Sequence, residues 1–157
     1  MPPAIRSGRV DEAHLLAEAF RQMWLDNGVA ETGIEPDYRE RVEEFVRAGI
    51  ARDSLQFFLA EHEGAVVGTA ACQLFAGLYP AILIPEVRRY GYLWGVYVAP
   101  AQRRHGLGRL LTERCIEALD ALGCTHVLLH AATPGRSVYE RLGFQSTNEM
   151  RLTLRSV

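Results

Sequence analysis

Tyr92-Leu-Trp-Gly-Val-Tyr-Val-Ala-Pro-Ala-Gln-Arg-Arg-His-Gly-Leu-Gly-Arg-Leu-Leu-Thr-Glu-Arg-Cys115 is the stretch on which the reading of this chain turns. Residues 92–98 are apolar and aromatic, the composition of a strand. Pro100 breaks the run. Arg103, Arg104 and His105 follow, and Gly106 and Gly108 then flank Leu107. From there apolar residues recur at helical spacing. A strand, a basic loop with glycines and a helix start can aim several backbone N–H groups at one anion. A phosphorylated cofactor is therefore the expected ligand.

Known phosphate motifs narrow this. A P-loop ends in Gly-Lys-Ser or Gly-Lys-Thr, and neither occurs in the chain. The dinucleotide fingerprint needs a third glycine three residues after Gly108, where Leu111 stands instead. What remains is Arg103-x-x-Gly106-x-Gly108 after a proline and before a helix. A plain strand-to-helix turn has the same spacing. Glycines at 106 and 108 would let the backbone approach a ligand with no Cβ in the way. The first amides of the helix lack intrahelical partners. Charge-assisted bonds to such amides contribute about 1.5–3 kcal/mol each, against about 0.3–1 kcal/mol for an exposed helix dipole. Amides, more than flexible arginines, should dominate affinity.

Outward from the loop, the helix is predicted from Gly108 to Leu122. Its buried face should use Leu111, Cys115, Ala118, Leu119 and Leu122, with Gly123 as its stop. Thr125 to Ala131 reads as a strand, Pro134-Gly135 as a turn and Ser137 to Leu142 as a short helix before Gly143. Phe144 to Leu154 reads as a last strand. On the N-terminal side, Ile5 to Arg9 is a short strand. Asp11 is the expected N-cap of a first helix that ends near Asn27-Gly28. Pro36 opens a second helix with an apolar stripe at Tyr38, Val42, Phe45 and Val46 and a solvated charged face. Leu55–His62 and Ala65–Leu74, joined by Glu63-Gly64, form a hairpin. Residues 75–90 read as a loop. Helices between strands imply crossovers, and the hairpin implies antiparallel pairing, so the sheet should be mixed.

The 157 residues suit one domain over 1–157 with a real core. A net charge of −2 argues against non-specific nucleic-acid binding. Between Glu86 and Arg109, by contrast, five arginines face one acid, an island suited to a small polyanion. Cys72, Cys115 and Cys124 are odd in number and lack CxxC spacing, which suggests reduced thiols in a cytoplasmic protein. No apolar run is long enough to cross a membrane, and the first residues lack the apolar core of a signal peptide. His126 and His130 have no third partner in a metal-ligand pattern, so no metal is expected.

Val-Tyr-Val-Ala-Pro-Ala-Gln-Arg-Arg-His-Gly-Leu-Gly (96–108) resembles the acetyl-CoA loop of the GNAT superfamily of N-acyltransferases. Ser137-Val-Tyr-Glu-Arg-Leu-Gly-Phe144 resembles that superfamily's C-terminal Tyr-x-x-x-Gly-Phe segment, and the order of elements matches along nearly the whole chain. The resemblance implies an α/β (α+β) fold with a mixed, mostly antiparallel sheet of about six to seven strands, flanking helices and a splayed strand pair. Acetyl-CoA would be the co-substrate. Its pantetheine arm would lie in the splay against main chain at Val96, Tyr97 and Val98, with Gly95 as the bulge that opens the gap. Its pyrophosphate would sit on the loop from Arg103, Arg104 and His105 through Gly106, Leu107, Gly108 and Arg109. Tyr139 matches the tyrosine that protonates the leaving thiolate.

The chain departs from the family where an Asn often precedes the short helix. Ser137 or Thr133 would take that contact. Some relatives carry a Glu general base at the place of Tyr92. A tyrosine is a poor base at neutral pH, so a water relay or an already neutral amine is expected in place of direct abstraction by Tyr92, and Glu86, Tyr97 and His130 are other candidates. The implied reaction is direct acetyl transfer in a ternary complex to a primary amine of a small molecule or peptide. Trp24, Tyr38, Phe75, Tyr79 and Tyr90 are candidates for its pocket. A non-catalytic acyl-CoA sensor is the alternative, and a homodimer is common among similar proteins.

Overall fold

The computed structural model describes residues 1–156. Five strands, β1 (Ala4–Ser7), β2 (Gln56–His62), β3 (Ala65–Leu74), β4 (Tyr90–Val98) and β5 (His126–Leu128), form one sheet in chain order. The first four are antiparallel neighbours, and β5 lies parallel to β4. The mixed, mostly antiparallel sheet is present, but with five strands among the described residues in place of six or seven. The strand expected over 144–154 is absent. Met150, Leu152 and Leu154 do alternate, yet they stand 95%, 82% and 83% exposed. A strand needs an edge to pair with, and the three-residue β5 offers too little of one.

β2 shows how the sheet divides the core. Phe57 and Leu59 join Leu16, Val46 and Ala71 on one face, under α1 (Ala13–Asp26) and α2 (Tyr38–Asp53). Phe58 and Ala60 join Leu93, Leu111 and Leu119 on the other, under α3 (Leu107–Ala121). A strand buried on both faces reads as a continuous apolar run, as residues 57–60 do. Each leucine fully removed from water contributes about 1.5–3 kcal/mol. On α3, Thr112 is buried too, with its hydroxyl donating to the Gly108 carbonyl at 2.8 Å. α4 (Arg136–Arg141) is short and ends at Gly143, whose φ is +94°.

One capping expectation changes. A single 3-10 turn, Val10–Glu12, precedes α1, and Glu12 rather than Asp11 closes it. The Arg9 amide donates to the Glu12 carboxylate at 2.9 Å, and Arg6 grips the same carboxylate at 2.7 and 2.9 Å. The longer side chain reaches back where Asp11 does not. Arg6 also reaches Glu61 of β2 at 2.8 Å, tying the first strand to its neighbour.

These bonds, Arg6 first and the Arg9 amide second, hold the Glu12 carboxyl down to about 2 from the ordinary 4.5. A depressed carboxylate contributes stability that is present above pH 4.5 and lost as pH falls toward 2. Glu12→Gln should therefore flatten stability across that window in acid titrations followed by circular dichroism. An unchanged acid limb would remove Glu12 from that role.

Candidate functional site

The site begins where two strands part. β4 and β5 pair through Tyr90↔His126, Gly91↔Val127 and Tyr92↔Leu128, and there the pairing stops. β4 continues to Val98 with no strand partner on that edge among the described residues. On its other edge Thr69 pairs with Tyr97 and Ala71 with Trp94, so three steps on β4 oppose two on β3. Gly95 lies in the extra step with φ +64°, and the buried Thr69 hydroxyl donates to its carbonyl at 2.9 Å. A bulge increases local twist and turns the bulged strand out of register. Gly95 supplies the positive φ that this one needs.

The loop after β4 turns once more, through a 3-10 turn at Pro100–Gln102. Arg104 has φ +67° and Gly106 φ +80°, left-handed conformations that bring successive amides toward a common side. The amides of residues 104–109 donate to no acceptor among the described residues, and the first bond of the helix runs from Leu110 N–H to the Gly106 carbonyl at 3.0 Å. A Cβ built on Gly106 meets nothing within 4 Å, and one on Gly108 meets only Val98 at 4.0 Å. Consecutive free amides at a helix start, with open space over both glycines, fit a pyrophosphate.

The basic side chains divide. Arg103 is a strut: it donates to the Val98 carbonyl at 2.8 Å and to Asp26 at 2.6 Å, and lies over the Tyr97 ring at 5.6 Å. It ties the loop to the ends of α1 and β4, and it takes up the Val98 carbonyl. The Asp26 carboxyl is held below its usual range by Gln22 and by Arg103. Arg109 is turned along α3 to Glu113 at 2.8 Å. Arg104 forms no ion pair among the described residues.

A cleft of about 2060 Å³ runs from the loop, along the splay, to the α1 and α2 side of the sheet. Val96, Tyr97, Val98, Arg103, Arg104, Leu107, Gly108 and Arg109 line it, whereas His105 and Ser137 do not. Thr133 and Val138 line it on the α4 side, so the polar contact weighed between Ser137 and Thr133 is open geometrically to Thr133. Tyr139 also lines it, packed edge-on against Phe144 at 5.9 Å. The Tyr139 hydroxyl has no hydrogen-bond partner among the described residues. Burial first, and the nearby Cys115 second, raise its pKa above 10.

Tyr92 stands at the point of splay, its ring tilted against Phe75 at 5.4 Å and His130 at 5.7 Å. Its hydroxyl is hydrogen-bonded to His130 Nδ1, and His130 Nε2 faces both oxygens of Glu149 at 3.0 Å. Burial, then the Glu149 charge, raise the Tyr92 pKa. Glu149 carries no motif and lies in the segment expected to be a strand, so only the folded chain reveals it. Glu86 is exposed and away from the cleft. His126 turns to Thr125 at 2.9 Å and to the Tyr90 ring, so the two histidines serve different partners. No group of three or more His, Cys, Asp or Glu among the described residues is placed to hold a metal.

The far end is aromatic. Phe20 meets Trp24 and Trp94 edge-on at 6.0 and 5.1 Å, and Phe45 meets Trp94 at 5.5 Å. Trp94 Nε1 donates to Gln73 at 2.9 Å, which fixes the ring. Trp24 and Phe75, both foreseen as pocket residues, line this end, and Tyr38, Tyr79 and Tyr90 do not line the cleft.

The model of the acetyltransferase (GNAT) family matches residues 14–144. A glucosamine 6-phosphate N-acetyltransferase of Trypanosoma brucei brucei is 30% identical over 109 residues, 69% of this chain and 69% of that protein. Two crystal structures share the fold. One, from Clostridium acetobutylicum, is described as a predicted acetyltransferase with acetyl-CoA (TM-score 0.82, 23% identity, 98% of this chain and 97% of that one). The other is a GCN5-related N-acetyltransferase from Ralstonia eutropha JMP134 (TM-score 0.80, 20% identity, 98% and 99%).

Proposed function

The chain belongs to the acetyltransferase (GNAT) family, and from that premise we propose an N-acetyltransferase that passes the acetyl group of acetyl-CoA directly to a primary amine. The observation that carries this is one cleft with two unlike ends. The free amides of residues 104–109 and the unpaired edge of β4 suit the pyrophosphate and pantetheine. The aromatic end suits a second molecule. At about 2060 Å³ the cleft is roughly twice the upper range of a single drug-sized pocket, about 1,000 Å³. Both substrates can be held at once. No cysteine lines it among the described residues, so a ternary complex is favoured over an acyl-enzyme.

In this reading the amine nitrogen attacks the acetyl carbonyl carbon, the C–S bond breaks, and Tyr139 gives its proton to the departing sulfur. A neutral phenol is a donor, and the raised pKa keeps it neutral. The proton that the nitrogen sheds as the amide forms restores Tyr139 through water. A sensor without turnover would have no use for a hydroxyl free of protein partners among the described residues on a side chain that lines the cleft, which favours the enzyme.

The acceptor end narrows the amine. Trp24 and Phe45, 44% and 49% exposed, both line the cleft and offer it apolar aromatic surface. The one carboxylate of the lining, Asp26, is already paired with Arg103. A polycationic amine finds no free carboxylate there among the described residues. The proposed acceptor is a primary amine on an apolar, preferably aromatic, small molecule or peptide.

Thiol release from acetyl-CoA tests this across arylalkylamines, glucosamine 6-phosphate and an aminoglycoside. The arylalkylamines should show the highest kcat/KM, by roughly tenfold, equivalent to about 1.4 kcal/mol. Preference for the aminoglycoside would overturn the acceptor assignment. Binding of acetyl-CoA with no turnover on any amine would overturn the enzyme reading.

A further inference from the structure

The acetyl-transfer reading leaves open what removes the first proton from the acceptor, which reaches the enzyme as an ammonium ion. Tyr92 stands where the cleft divides, but burial and the Glu149 charge both oppose its ionisation. The phenolate is not an available base. The hydrogen bonds behind it supply another route.

An ionised Glu149 can only accept, so His130 Nε2, at 3.0 Å from both its oxygens, carries the hydrogen. In a neutral imidazole the other nitrogen is then an acceptor. His130 Nδ1 thus receives the hydrogen of the Tyr92 hydroxyl. That leaves the Tyr92 oxygen with lone pairs to offer the cleft, which both Tyr92 and His130 line. The order of donors runs one way, from the cleft to Glu149.

We propose that His130 is the general base for the acceptor amine, that Tyr92 relays the proton to it, and that Glu149 is the positioning residue that holds the ring and stabilises its charged form. The proposal rests on the N-acetyltransferase reading. An ammonium N–H proton passes to the Tyr92 oxygen while the Tyr92 proton passes to His130 Nδ1. Tyr92 is neutral before and after. The imidazolium pairs with Glu149 and gives its extra proton to solvent when the product leaves. The neutral amine is left to attack.

Gln73 and Phe75, from the β3 side, and Leu128 of β5 are uncharged. The C-terminal segment contributes Glu149, and Arg151 lines the same cleft.

Kinetics and a spectroscopic arm on the full chain test the assignment. Tyr92→Phe and His130→Gln should each lower kcat/KM for the best amine by about 10²-fold, the low end of general-base effects, with acetyl-CoA affinity by calorimetry unchanged. The double variant should be no slower than the slower single, because both sit on one path. Glu149→Gln should cost about tenfold, less because His130 and Glu149 are 58% and 60% exposed. Glu149→Asp should restore part of the rate. Multiplying losses in the double variant, or an acidic limb unchanged in His130→Gln, would overturn the relay.

Nitrogen-15 NMR of the histidine ring needs no acceptor. A ring protonated at Nε2, whose Nδ1 resonance moves in Tyr92→Phe, supports the chain of bonds even if the amine panel fails. A ring protonated at Nδ1 overturns it and leaves acetyl transfer standing.

Discussion

Tyr139→Phe should lower turnover by about 10²–10⁴-fold with the acetyl-CoA dissociation constant nearly unchanged. The ring is held by packing, edge-on to Phe144 at 5.9 Å and with its edge 3.4 Å from where a Cβ on Gly135 would stand. Phenylalanine keeps those contacts. The hydroxyl, by contrast, bonds to no described residue, so its loss strands no partner. Only a group that acts on the substrate would then be missing. Its pH behaviour carries a sign as well. A proton donor must be protonated to work, and burial raises this pKa above 10. Wild-type turnover should show no loss attributable to Tyr139 between neutrality and about pH 9. Steady-state kinetics paired with calorimetry decide the matter, and unchanged turnover would remove the general-acid role.

Gly108→Val should weaken acetyl-CoA binding by about 10²-fold, which corresponds to losing roughly one or two charge-assisted amide bonds. The folded chain accommodates the change. A Cβ at 108 makes an ordinary 4.0 Å contact with Val98, and the residue has no positive φ. The added methyls occupy the space through which a pyrophosphate reaches the amides. Arg109→Ala is the matched comparison, since its guanidinium already points to Glu113. Its effect should stay below tenfold. Calorimetric titration of both variants ranks them, and the reverse order would mean that side chains rather than amides hold the ligand. Gly106 is different in kind. Its φ of +80° makes any side chain there cost backbone strain of about 1–2 kcal/mol before a ligand is considered.

Local patterns were legible where local forces decide. The hairpin around Glu63-Gly64 forms as read, with φ of +50° and +79° at the two turn residues. α3 starts at Leu107, one residue from its expected start, because a glycine loop and a 3.6-residue apolar period both mark the place. Gly95 was legible as a bulge once its strand was recognised as the one that must open. The strand over 144–154 was misread because alternation records only which residues could face a core. Whether a sheet edge is there to receive them depends on β5, far away in sequence.

The same distinction runs through the site. Arg103 looked like a phosphate ligand from its motif position, yet Asp26, distant in sequence, makes it a strut. Ser137 and His105 sit in the right segments but off the cleft. Glu149 had no sequence signal at all, because a carboxylate becomes a histidine partner only through the path that the last residues take. By itself the sequence determined the glycine loop, the bulge and the short helix that carries Tyr139, since glycine freedom, helix starts and strand breaks act within a few residues. Tertiary structure alone decided which arginine forms no ion pair among the described residues, which aromatic rings wall the far end of the cleft and what stands behind Tyr92. Those are contacts between segments remote in the chain, and a side chain's charge and direction have no fixed meaning until both segments are in place.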